Sequence, residues 1–414
     1  MMKDEFYYLC SSCGRAYPIS KDLMLCPGCR ERDLKGKPLK GVLKVMLPQR
    51  LRNSKKPGET YDIFDYLPVE KEFFPPIPVG NTPLIQAHNL EKKIGFNNIY
   101  LKFDGTNPTA SYKDRASYLV SALAIKWNEN NIAIASTGNA ASSMSGIAAS
   151  AGQKVFVFMP SKAPRAKLVQ CLQYGATLIP VNGTYDDAFD LSLEFSDLTG
   201  ILNRNTAYNP MTLEGKKTAA FEILRQMKGT GISHLFLPVG DGVILSGIIK
   251  GFMDLRFLGL IEEIPQIVGV QAEGSSFLFK AFNENVYDLH YSACTQADSI
   301  SVNAARNAYT AVRDLQHVNG KMVLVSDNDI LEAQKTVSEL SGIFCEPSSA
   351  AAFAGFVKMK EEMPQPSNAV ILLTGHGLKD IEVSSKKLKF PQAFEPDIKY
   401  IIKKLELKES LISK

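Results

Sequence analysis

The stretch Asn107-Pro-Thr-Ala-Ser-Tyr-Lys-Asp-Arg115 places one lysine, Lys113, in a loop at the start of a predicted helix. Taken alone, this nonapeptide is typical of a solvated turn that leads into an amphipathic helix, because lysine, aspartate and arginine are common surface residues. Three later loops, each of which follows a predicted strand, change this interpretation because all three suit the same cofactor. We therefore predict that Lys113 carries the chemistry of the protein.

Length and charge narrow the class of protein. The chain has 414 residues, of which 45% are hydrophobic, and this length suggests two or three domains. The formal net charge of +4, from 47 basic and 43 acidic residues, is too small to indicate a nucleic-acid or membrane partner. No segment offers about 18 uninterrupted apolar residues, and no apolar run opens the chain. We expect a cytoplasmic protein without signal peptide or membrane span that acts on a small molecule.

Four of the seven cysteines form two Cys-x-x-Cys pairs near the start of the chain, Cys10 with Cys13 and Cys26 with Cys29. This spacing is typical of a tetrahedral zinc site, which stabilises a segment too small to have its own core. Four unligated structural cysteines are the alternative. Because the segment lacks an obvious basic and aromatic stripe, we predict a structural zinc ribbon over residues 1–40 and not a nucleic-acid-binding one.

The remainder of the chain alternates between short apolar runs and longer helical patterns, after a proline-rich segment (35–79) predicted to have little regular structure. The predicted strands are Ile99–Phe103, Ile132–Ala135, Val155–Met159, Thr177–Val181, Leu235–Val239, Ile267–Gln271 and Val370–Thr374. The predicted helices are 114–130, 140–151, 163–174, 185–199, 213–228 and 245–258. Such alternation predicts an α/β protein with parallel sheets, in which ligands bind at the carboxyl ends of the strands.

Three loops follow these strands with compositions that suit ligand binding. Ser136-Thr-Gly-Asn-Ala-Ala-Ser142 offers backbone N–H groups and the Asn139 amide at a helix start, although an N-cap without a ligand is the alternative. Gly240-Asp-Gly-Val-Ile-Leu-Ser-Gly247 lets the backbone approach a phosphate. Thr374-Gly-His-Gly-Leu-Lys-Asp380 supplies a neutral hydroxyl at a strand end. Together with a lysine, these parts fit pyridoxal phosphate.

The sequence resembles a known family, the threonine synthases, within the tryptophan-synthase-β fold group of fold-type II pyridoxal-phosphate enzymes. The motifs that carry the resemblance are Asn-Pro-Thr-Ala-Ser-Tyr-Lys113-Asp-Arg, Ala-Ser-Thr-Gly-Asn139, Pro-Val-Gly240-Asp-Gly, Gly-Val-Gln-Ala-Glu273-Gly, Phe-Cys-Glu-Pro347-Ser-Ser-Ala-Ala and Leu-Thr374-Gly-His-Gly-Leu-Lys-Asp380. The resemblance runs from about residue 80 to residue 390. The last motif is fairly specific to threonine synthases within the fold group.

The resemblance implies the roles of individual residues. Lys113 would form the Schiff base, Asn139 would lie at the 3′-hydroxyl of the cofactor, and Thr374 would lie at the pyridine nitrogen. The predicted cofactor-binding residues are Lys113, Asn139, Gly240, Asp241, Gly242, Val243, Ile244 and Thr374, with the amides of 240, 242 and 243 at the phosphate. The predicted substrate-binding residues are Ser136, Thr137, Asn139 and Asn209.

The resemblance also implies the reaction and the organisation of the chain. The reaction is conversion of O-phosphohomoserine and water to threonine and phosphate, with Lys113 as the general base. We expect two doubly wound domains after the ribbon, a large cofactor domain (41–110 and 205–395) and a small substrate-closing domain (111–204). A helical tail (396–414) and a homodimer are also expected.

Three positions depart from the family pattern and leave the substrate open. Where the most comparable threonine synthases have Thr, Asn and Arg, this chain has Ala140, Thr184 and Asp190. Because an arginine that binds phosphate is replaced by a carboxylate, the substrate phosphate needs other partners. The candidates are Lys162, Arg165, Arg204 and Lys216. The alternative is a related enzyme that eliminates or replaces a substituent of another amino acid, such as a dehydratase or a cysteate-synthase-like enzyme, which Ala-Asp298-Ser-Ile-Ser-Val302 favours. A nucleic-acid-binding zinc-ribbon protein with a degenerate catalytic fold is a third alternative.

Overall fold

A computed structural model describes residues 4–31, 36–163, 165–287, 292–386, 388, 390–391 and 393–405, with the side chains of 165–167 excluded. The strands are β1 Tyr7–Cys10, β2 Ala16–Pro18, β3 Leu43–Met46, β4 Leu84–Gln86, β5 Ile99–Phe103, β6 Asn131–Ala135, β7 Lys154–Pro160, β8 Thr177–Val181, β9 Leu202–Asn203, β10 His234–Pro238, β11 Gln266–Ala272, β12 Lys321–Val325 and β13 Ala369–Leu373.

Fifteen α-helices accompany these strands in the described part of the chain. They are α1 Pro27–Arg30, α2 His88–Ile94, α3 Lys113–Lys126, α4 Asn139–Ser150, α5 Arg165–Gln173, α6 Tyr185–Thr199, α7 Pro210–Lys216, α8 Thr218–Gln226, α9 Val243–Leu258, α10 Phe277–Glu284, α11 Ala308–His317, α12 Asp327–Ser341, α13 Pro347–Met359, α14 Ile381–Ser385 and α15 Ile398–Lys404. None of these helices is long and apolar enough to cross a membrane.

Two parallel sheets dominate the fold. A six-stranded sheet has the order β12-β11-β10-β13-β5-β4, in which only the edge pair β4 and β5 is antiparallel. A four-stranded sheet has the order β8-β7-β6-β9 and is parallel throughout. The central strand β13 is buried at every position, as expected when helices cover both faces. The predicted α/β class with parallel sheets is confirmed.

The N-terminal segment forms its own small antiparallel sheet, with the order β2-β1-β3. β3 lies beyond the predicted ribbon boundary at residue 40 and within the segment predicted to have little regular structure, yet it pairs with β1 along four residues, from Tyr7 opposite Met46 to Cys10 opposite Leu43. The four-stranded sheet lies wholly within the predicted small domain (111–204). The domain division itself stays a prediction.

Most predicted elements lie where the sequence placed them, but one predicted helix is wrong. The segment 213–228 forms two helices, α7 and α8, which meet at Lys217. α7 begins early because the Asn209 side chain accepts a hydrogen bond from the Met211 N–H and Pro210 occupies the first helical position. Within the predicted helical tail (396–414), α15 covers Ile398–Lys404, and residues 406–414 lie outside the described residues.

Candidate active site

The carboxyl ends of strands from both parallel sheets meet at one cavity of about 440 Å³. The loops that follow β6, β9, β10 and β13 line it, together with the first residue of α3. This is the position at which parallel α/β sheets bind ligands, and the volume suits a cofactor together with a small substrate. The structure thus brings the predicted lysine and the three predicted loops together at a single site.

Lys113 is the first residue of α3, and backbone hydrogen bonds fix its position relative to the loop after β13. The Tyr112 N–H donates to the Thr374 carbonyl oxygen at 2.7 Å, and the His376 N–H donates to the Ala110 carbonyl oxygen at 3.1 Å. Ala110 adopts a φ of +66°, a conformation that turns the chain into the helix. The stretch around Lys113 and the loop with Thr374 therefore form one local unit.

The environment of Lys113 lowers the pKa of its amine. Burial lowers the pKa of Lys113, an effect that the carboxylates of Asp241 and Glu346 oppose and the Arg204 guanidinium reinforces. A neutral amine is the form that attacks an aldehyde or accepts a proton. Lys113 therefore has the position and the electrostatic environment of a nucleophile or base.

The glycine loop after β10 brings backbone to the cavity at the N-terminus of α9. Gly242 has a φ of +89°, and a Cβ there would lie 2.7 Å from the Ala311 side chain, so only glycine fits. At Gly240 a Cβ would lie 3.1 Å from the Ile300 Cα atom. Ile244 also lines the cavity. The two glycines thus let the loop pack closely against Ala311 and Ile300 and place backbone at the cavity, at a helix N-terminus of the kind that binds phosphate.

Asp241 is turned back onto this helix end. Its Oδ1 atom accepts a hydrogen bond from the Val243 N–H at 3.0 Å, so the predicted phosphate-binding amide of Val243 is already engaged. Burial would raise the pKa of Asp241, but Lys216 and Lys113 hold it below its usual range. Val243 itself is buried in the core and is not among the described residues that line the cavity.

Asn139 contacts the carboxyl group of Glu346, a residue of the Phe-Cys-Glu-Pro347 motif that was not predicted as a site residue. The Asn139 Nδ2 atom donates to Glu346 Oε2 at 3.0 Å, and the Ser299 hydroxyl donates to the same oxygen at 3.3 Å. Burial raises the pKa of Glu346. The signal in the sequence was Glu346 itself, a lone acid before Pro347 and a helix of small residues.

Two hydroxyl groups meet at the end of β13. Thr374 Oγ1 and Ser349 Oγ lie 3.0 Å apart, and Ser349 Oγ also accepts the Gly375 N–H at 2.7 Å. Thr374 lines the cavity. Its hydroxyl is thus held in place by Ser349, which was not predicted as a site residue, and offers a neutral partner for a ligand.

The predicted substrate residues fall into two groups. Ser136 and Thr137 line the cavity, and Ser136 Oγ accepts the Gly138 N–H at 3.2 Å. Asn209 is not among the described residues that line the cavity. Its amide donates to the Asn203 carbonyl oxygen at 2.8 Å and accepts from the Met211 N–H at 2.9 Å. The structure therefore uses Asn209 to cap α7 and does not bring it to the site.

Of the three positions that depart from the family pattern, Ala140 and Thr184 differ from Asp190 in their relation to the cavity. Ala140 and Thr184 line the cavity, and Thr184 caps α6 by accepting the Asp187 N–H at 3.2 Å. Asp190 is not among the described residues of the cavity wall. The carboxylate that replaced an arginine therefore does not confront a ligand in the cavity.

Two arginines of the described residues line the cavity, Arg204 directly after β9 and Arg306 just before α11. Arg306 forms an ion pair with Asp186 and lies 4.7 Å from the centre of the Phe189 ring. Of the other predicted phosphate candidates, Lys162 and Lys216 are not among the described lining residues, and the side chain of Arg165 lies outside the described residues.

The four N-terminal cysteines converge in the ribbon. Their sulfur atoms all lie within 4.8 Å of one another, with Cys10 and Cys29 at 3.9 Å and Cys13 and Cys26 at 3.7 Å. Four thiol groups at this spacing could hold a metal ion, and the donor set is the one that tetrahedral zinc prefers.

The fold and the site define a class of enzyme, and comparison with known proteins agrees. Residues 77–375 match the family model described as pyridoxal-phosphate dependent enzyme. The chain therefore belongs to the family of pyridoxal-phosphate-dependent enzymes. The predicted enzyme class and cofactor family are confirmed.

Within this family the chain is similar to threonine synthases along almost its full length. It is 34% identical over 409 residues to a threonine synthase of Methanocaldococcus jannaschii, a match that covers 96% of this chain and 99% of that protein. A threonine synthase of Synechocystis sp. is 35% identical over 353 residues, with 83% of this chain and 89% of that protein covered. The resemblance that the motifs indicated is confirmed.

Solved structures support the fold. The processed form of threonine deaminase isoform 2 from Solanum lycopersicum matches with a TM-score of 0.66 at 24% sequence identity, over 81% of this chain and 97% of that chain. At this identity the likeness concerns the fold, and it confirms the predicted fold-type II architecture.

Proposed function

We propose that this enzyme is a threonine synthase that converts O-phosphohomoserine and water to L-threonine and phosphate. The observation that carries the proposal is the convergence of Lys113, Asn139, the Gly240 loop and Thr374 on one cavity, in a chain 34% identical to a threonine synthase over nearly its full length. The similarity of sequence supports the substrate, and the cavity supports the chemistry.

The residues around the cavity fit pyridoxal phosphate. Lys113 would hold it covalently, Asn139 and Thr374 would contact the ring, and the loop from Gly240 to Ile244 would hold the phosphate at the N-terminus of α9. When bound, the cofactor stabilises negative charge at the α-carbon of an amino acid. Asp241 would turn away from the Val243 N–H as the phosphate binds, because two anions cannot share that helix end.

The chain's own residues would bind the substrate and move its protons. Ser136 and Thr137 would hold the substrate carboxylate at the start of α4, where the helix end favours an anion. The Lys113 amine, whose pKa burial lowers, would take a proton from Cα and later from Cβ. The Cγ–O bond breaks and phosphate leaves with the bridging oxygen. The protons taken from Cα and Cβ are balanced by one proton delivered to Cγ, which becomes the methyl group, and one returned to Cα. Water adds its hydroxyl to Cβ, and its remaining proton leaves with the phosphate.

A second candidate is a related enzyme that eliminates the hydroxyl of threonine or serine. The segment from Asp298 to Val302 supports it, because that segment lines the cavity and resembles a stretch of the dehydratases. Such an enzyme would release a keto acid from threonine without phosphate chemistry.

A pair of assays on the wild-type enzyme separates these functions. With O-phosphohomoserine as substrate, we expect equal amounts of inorganic phosphate and threonine. With threonine as substrate, we expect little 2-oxobutanoate. Rapid keto-acid formation from threonine, together with no phosphate release, would contradict the proposal and favour the second candidate.

We also propose that the four-cysteine cluster holds structural zinc. Cys10 and Cys26 are buried, and a segment with so small a core gains stability from a metal. Measurement of about one zinc ion per chain by elemental analysis, with a lowered melting temperature after chelation, is the expected result. A metal-free protein with unchanged melting temperature would contradict it. A closing domain at 111–204 and a homodimer remain part of the proposal.

A further inference from the structure

Arg204 is a buried arginine with an incomplete set of partners. It follows β9 directly, its side chain is sealed from bulk solvent, and it forms part of the cavity wall. Its Nε atom donates to the Ser117 hydroxyl at 3.3 Å. One terminal nitrogen of the guanidinium has no hydrogen-bond partner among the described residues.

Such an arrangement is costly without a ligand. Burial lowers the pKa of Arg204 to about 10, even though Asp241, Tyr185 and Asp114 favour its charged form. A buried guanidinium that has no ion-paired carboxylate and leaves one nitrogen without a hydrogen bond destabilises the folded state, so native proteins usually satisfy these groups. An anion in the cavity would supply both the charge and the missing hydrogen bond.

The other expected anions already have places in the cavity. The cofactor phosphate belongs at the N-terminus of α9, and the substrate carboxylate belongs at the loop after β6. Arg204 lies beside that loop, because β6 and β9 are neighbours and the Arg204 N–H donates to the Ala133 carbonyl oxygen at 2.8 Å. Arg204 therefore lies on the part of the cavity wall next to the loop that would bind the substrate carboxylate.

Arg306 is the competing cation on this wall, but its guanidinium is engaged. It forms an ion pair with Asp186, donates to the Lys37 carbonyl oxygen at 3.1 Å and covers the Phe189 ring. An anion at Arg306 would have to displace Asp186, whereas no carboxylate of the described residues forms an ion pair with the Arg204 guanidinium.

We propose that Arg204 binds the anionic group at the end of the substrate side chain, a phosphate monoester, and so determines the substrate class. This inference rests on the proposed function for the identity of that group. It explains how the enzyme can bind a phosphate ester although Asn209 caps a helix and Asp190 stands where the family has an arginine.

The test compares ligands with and without the phosphate on the holoenzyme. Spectral titration of the bound cofactor gives dissociation constants for O-phosphohomoserine and for homoserine. With Arg204→Gln we expect the affinity for O-phosphohomoserine to fall about 30-fold or more, since a charged hydrogen bond to a buried partner is lost. The affinity for homoserine and the cofactor content should stay within about threefold. Arg204→Lys should recover part of the loss, because it keeps the charge without the planar fork.

Two further variants serve as comparisons. Arg225→Gln removes an exposed arginine outside the cavity and should leave both affinities unchanged. Arg306→Gln tests whether Arg306, the other arginine of the cavity wall, binds the substrate phosphate instead. If Arg306→Gln loses the phosphate preference and Arg204→Gln keeps it, or if Arg204→Gln weakens both ligands equally, the proposal is overturned.

Inorganic phosphate separates this inference from the proposed function. Titration of the holoenzyme with inorganic phosphate should show saturable binding that Arg204→Gln abolishes. If that result is obtained while the wild type forms no threonine from O-phosphohomoserine, the anion site stands and the proposed function fails. If threonine forms and neither phosphate nor O-phosphohomoserine depends on Arg204, the proposed function stands and the anion site is wrong.

Discussion

Two buried arginines near the cavity have opposite surroundings. Arg115 donates from every nitrogen of its guanidinium, with Nε 2.5 Å from Asp104 and the terminal nitrogens 2.7 and 2.8 Å from Glu222. Arg204 has one bond at 3.3 Å to Ser117 and an unpartnered terminal nitrogen among the described residues. Both side chains are almost fully buried, so burial alone does not explain the difference.

The pKa values of the two arginines are shifted in opposite directions. Burial disfavours the charge of Arg115, but Asp104 and Glu222 outweigh burial and raise its pKa well above the usual range. Burial of Arg204 prevails and lowers its pKa to about 10. A buried charge with all its partners holds structure together, whereas a buried charge at a cavity wall without them indicates that a ligand completes the set.

The largest effect is expected at Lys113, which lies two residues before Arg115 and faces the cavity of Arg204. Lys113→Ala should lower kcat on the order of 10,000-fold, because both the cofactor attachment and the general base are lost. It should also abolish the visible absorbance of the lysine-bound cofactor, measured on the purified enzyme. Arg225→Gln is the control. An enzyme that kept its absorbance and activity without Lys113 would contradict the assignment.

The second largest effect is expected at Glu222, the ion-pair partner of Arg115. Glu222→Gln should lower the free energy of unfolding by about 3–5 kcal/mol, since it leaves Arg115 and Lys102 with one carboxylate fewer in a buried network. Arg204→Gln should change that free energy by less than about 1 kcal/mol. Denaturant unfolding of both variants checks this contrast. Equal destabilisation by the two substitutions would contradict it.

The Glu222 contribution should depend on pH. Burial would raise the pKa of Glu222, but Arg115 and Lys102 hold it at about 2, below the ordinary 4.5. Because the folded state binds this proton less readily than the unfolded chain, the stabilisation is complete above pH 4.5 and is lost as the pH falls towards 2. The difference in unfolding free energy between wild type and Glu222→Gln should therefore shrink in that window.

A smaller effect is expected for Glu346, a buried carboxyl group at the cavity. Glu346→Gln keeps the size of the side chain but not the charge that orients Asn139, so kcat/KM should fall about 10-fold. Because burial raises the pKa of Glu346, ionisation costs the wild type stability as the pH rises through that raised pKa. The variant should lack this loss. If the two stability profiles are parallel, the group does not titrate as described.

The smallest effect is expected at Asp190. Because Asp190 is not among the described residues of the cavity wall, Asp190→Asn should change kcat/KM for O-phosphohomoserine less than about twofold. Arg204→Gln, assayed in parallel, should lose far more. A steep rise of activity in Asp190→Asn would mean that the carboxylate does repel the substrate.

The sequence predicted most strands of the two large sheets. β5 and β8 have the predicted bounds, because their apolar runs are bounded by turns. β4 and β9 were missed since three and two residues are too short to show a period. The predicted single helix 213–228 failed because Asn209 and Pro210 start a helix early and α8 begins anew after Lys217.

The candidate site was predictable only in part. Lys113, Asn139 and Thr374 follow strands or start helices, and topology brings such positions together. Glu346 reaches Asn139 across 207 residues of chain, and no local pattern indicates that contact. Arg204 was one candidate among several, because neither its burial nor its missing partner can be read from its neighbours in sequence.

The fate of the oxygen atoms tests the central claim, that this enzyme is a threonine synthase, most directly. The wild-type holoenzyme is incubated with O-phosphohomoserine in water labelled with oxygen-18, and both products are analysed by mass spectrometry. We expect threonine with labelled oxygen in its hydroxyl group and phosphate without label, since the C–O bond breaks and water adds at Cβ. Labelled phosphate together with homoserine, or no phosphate release, would show that the enzyme is not a threonine synthase.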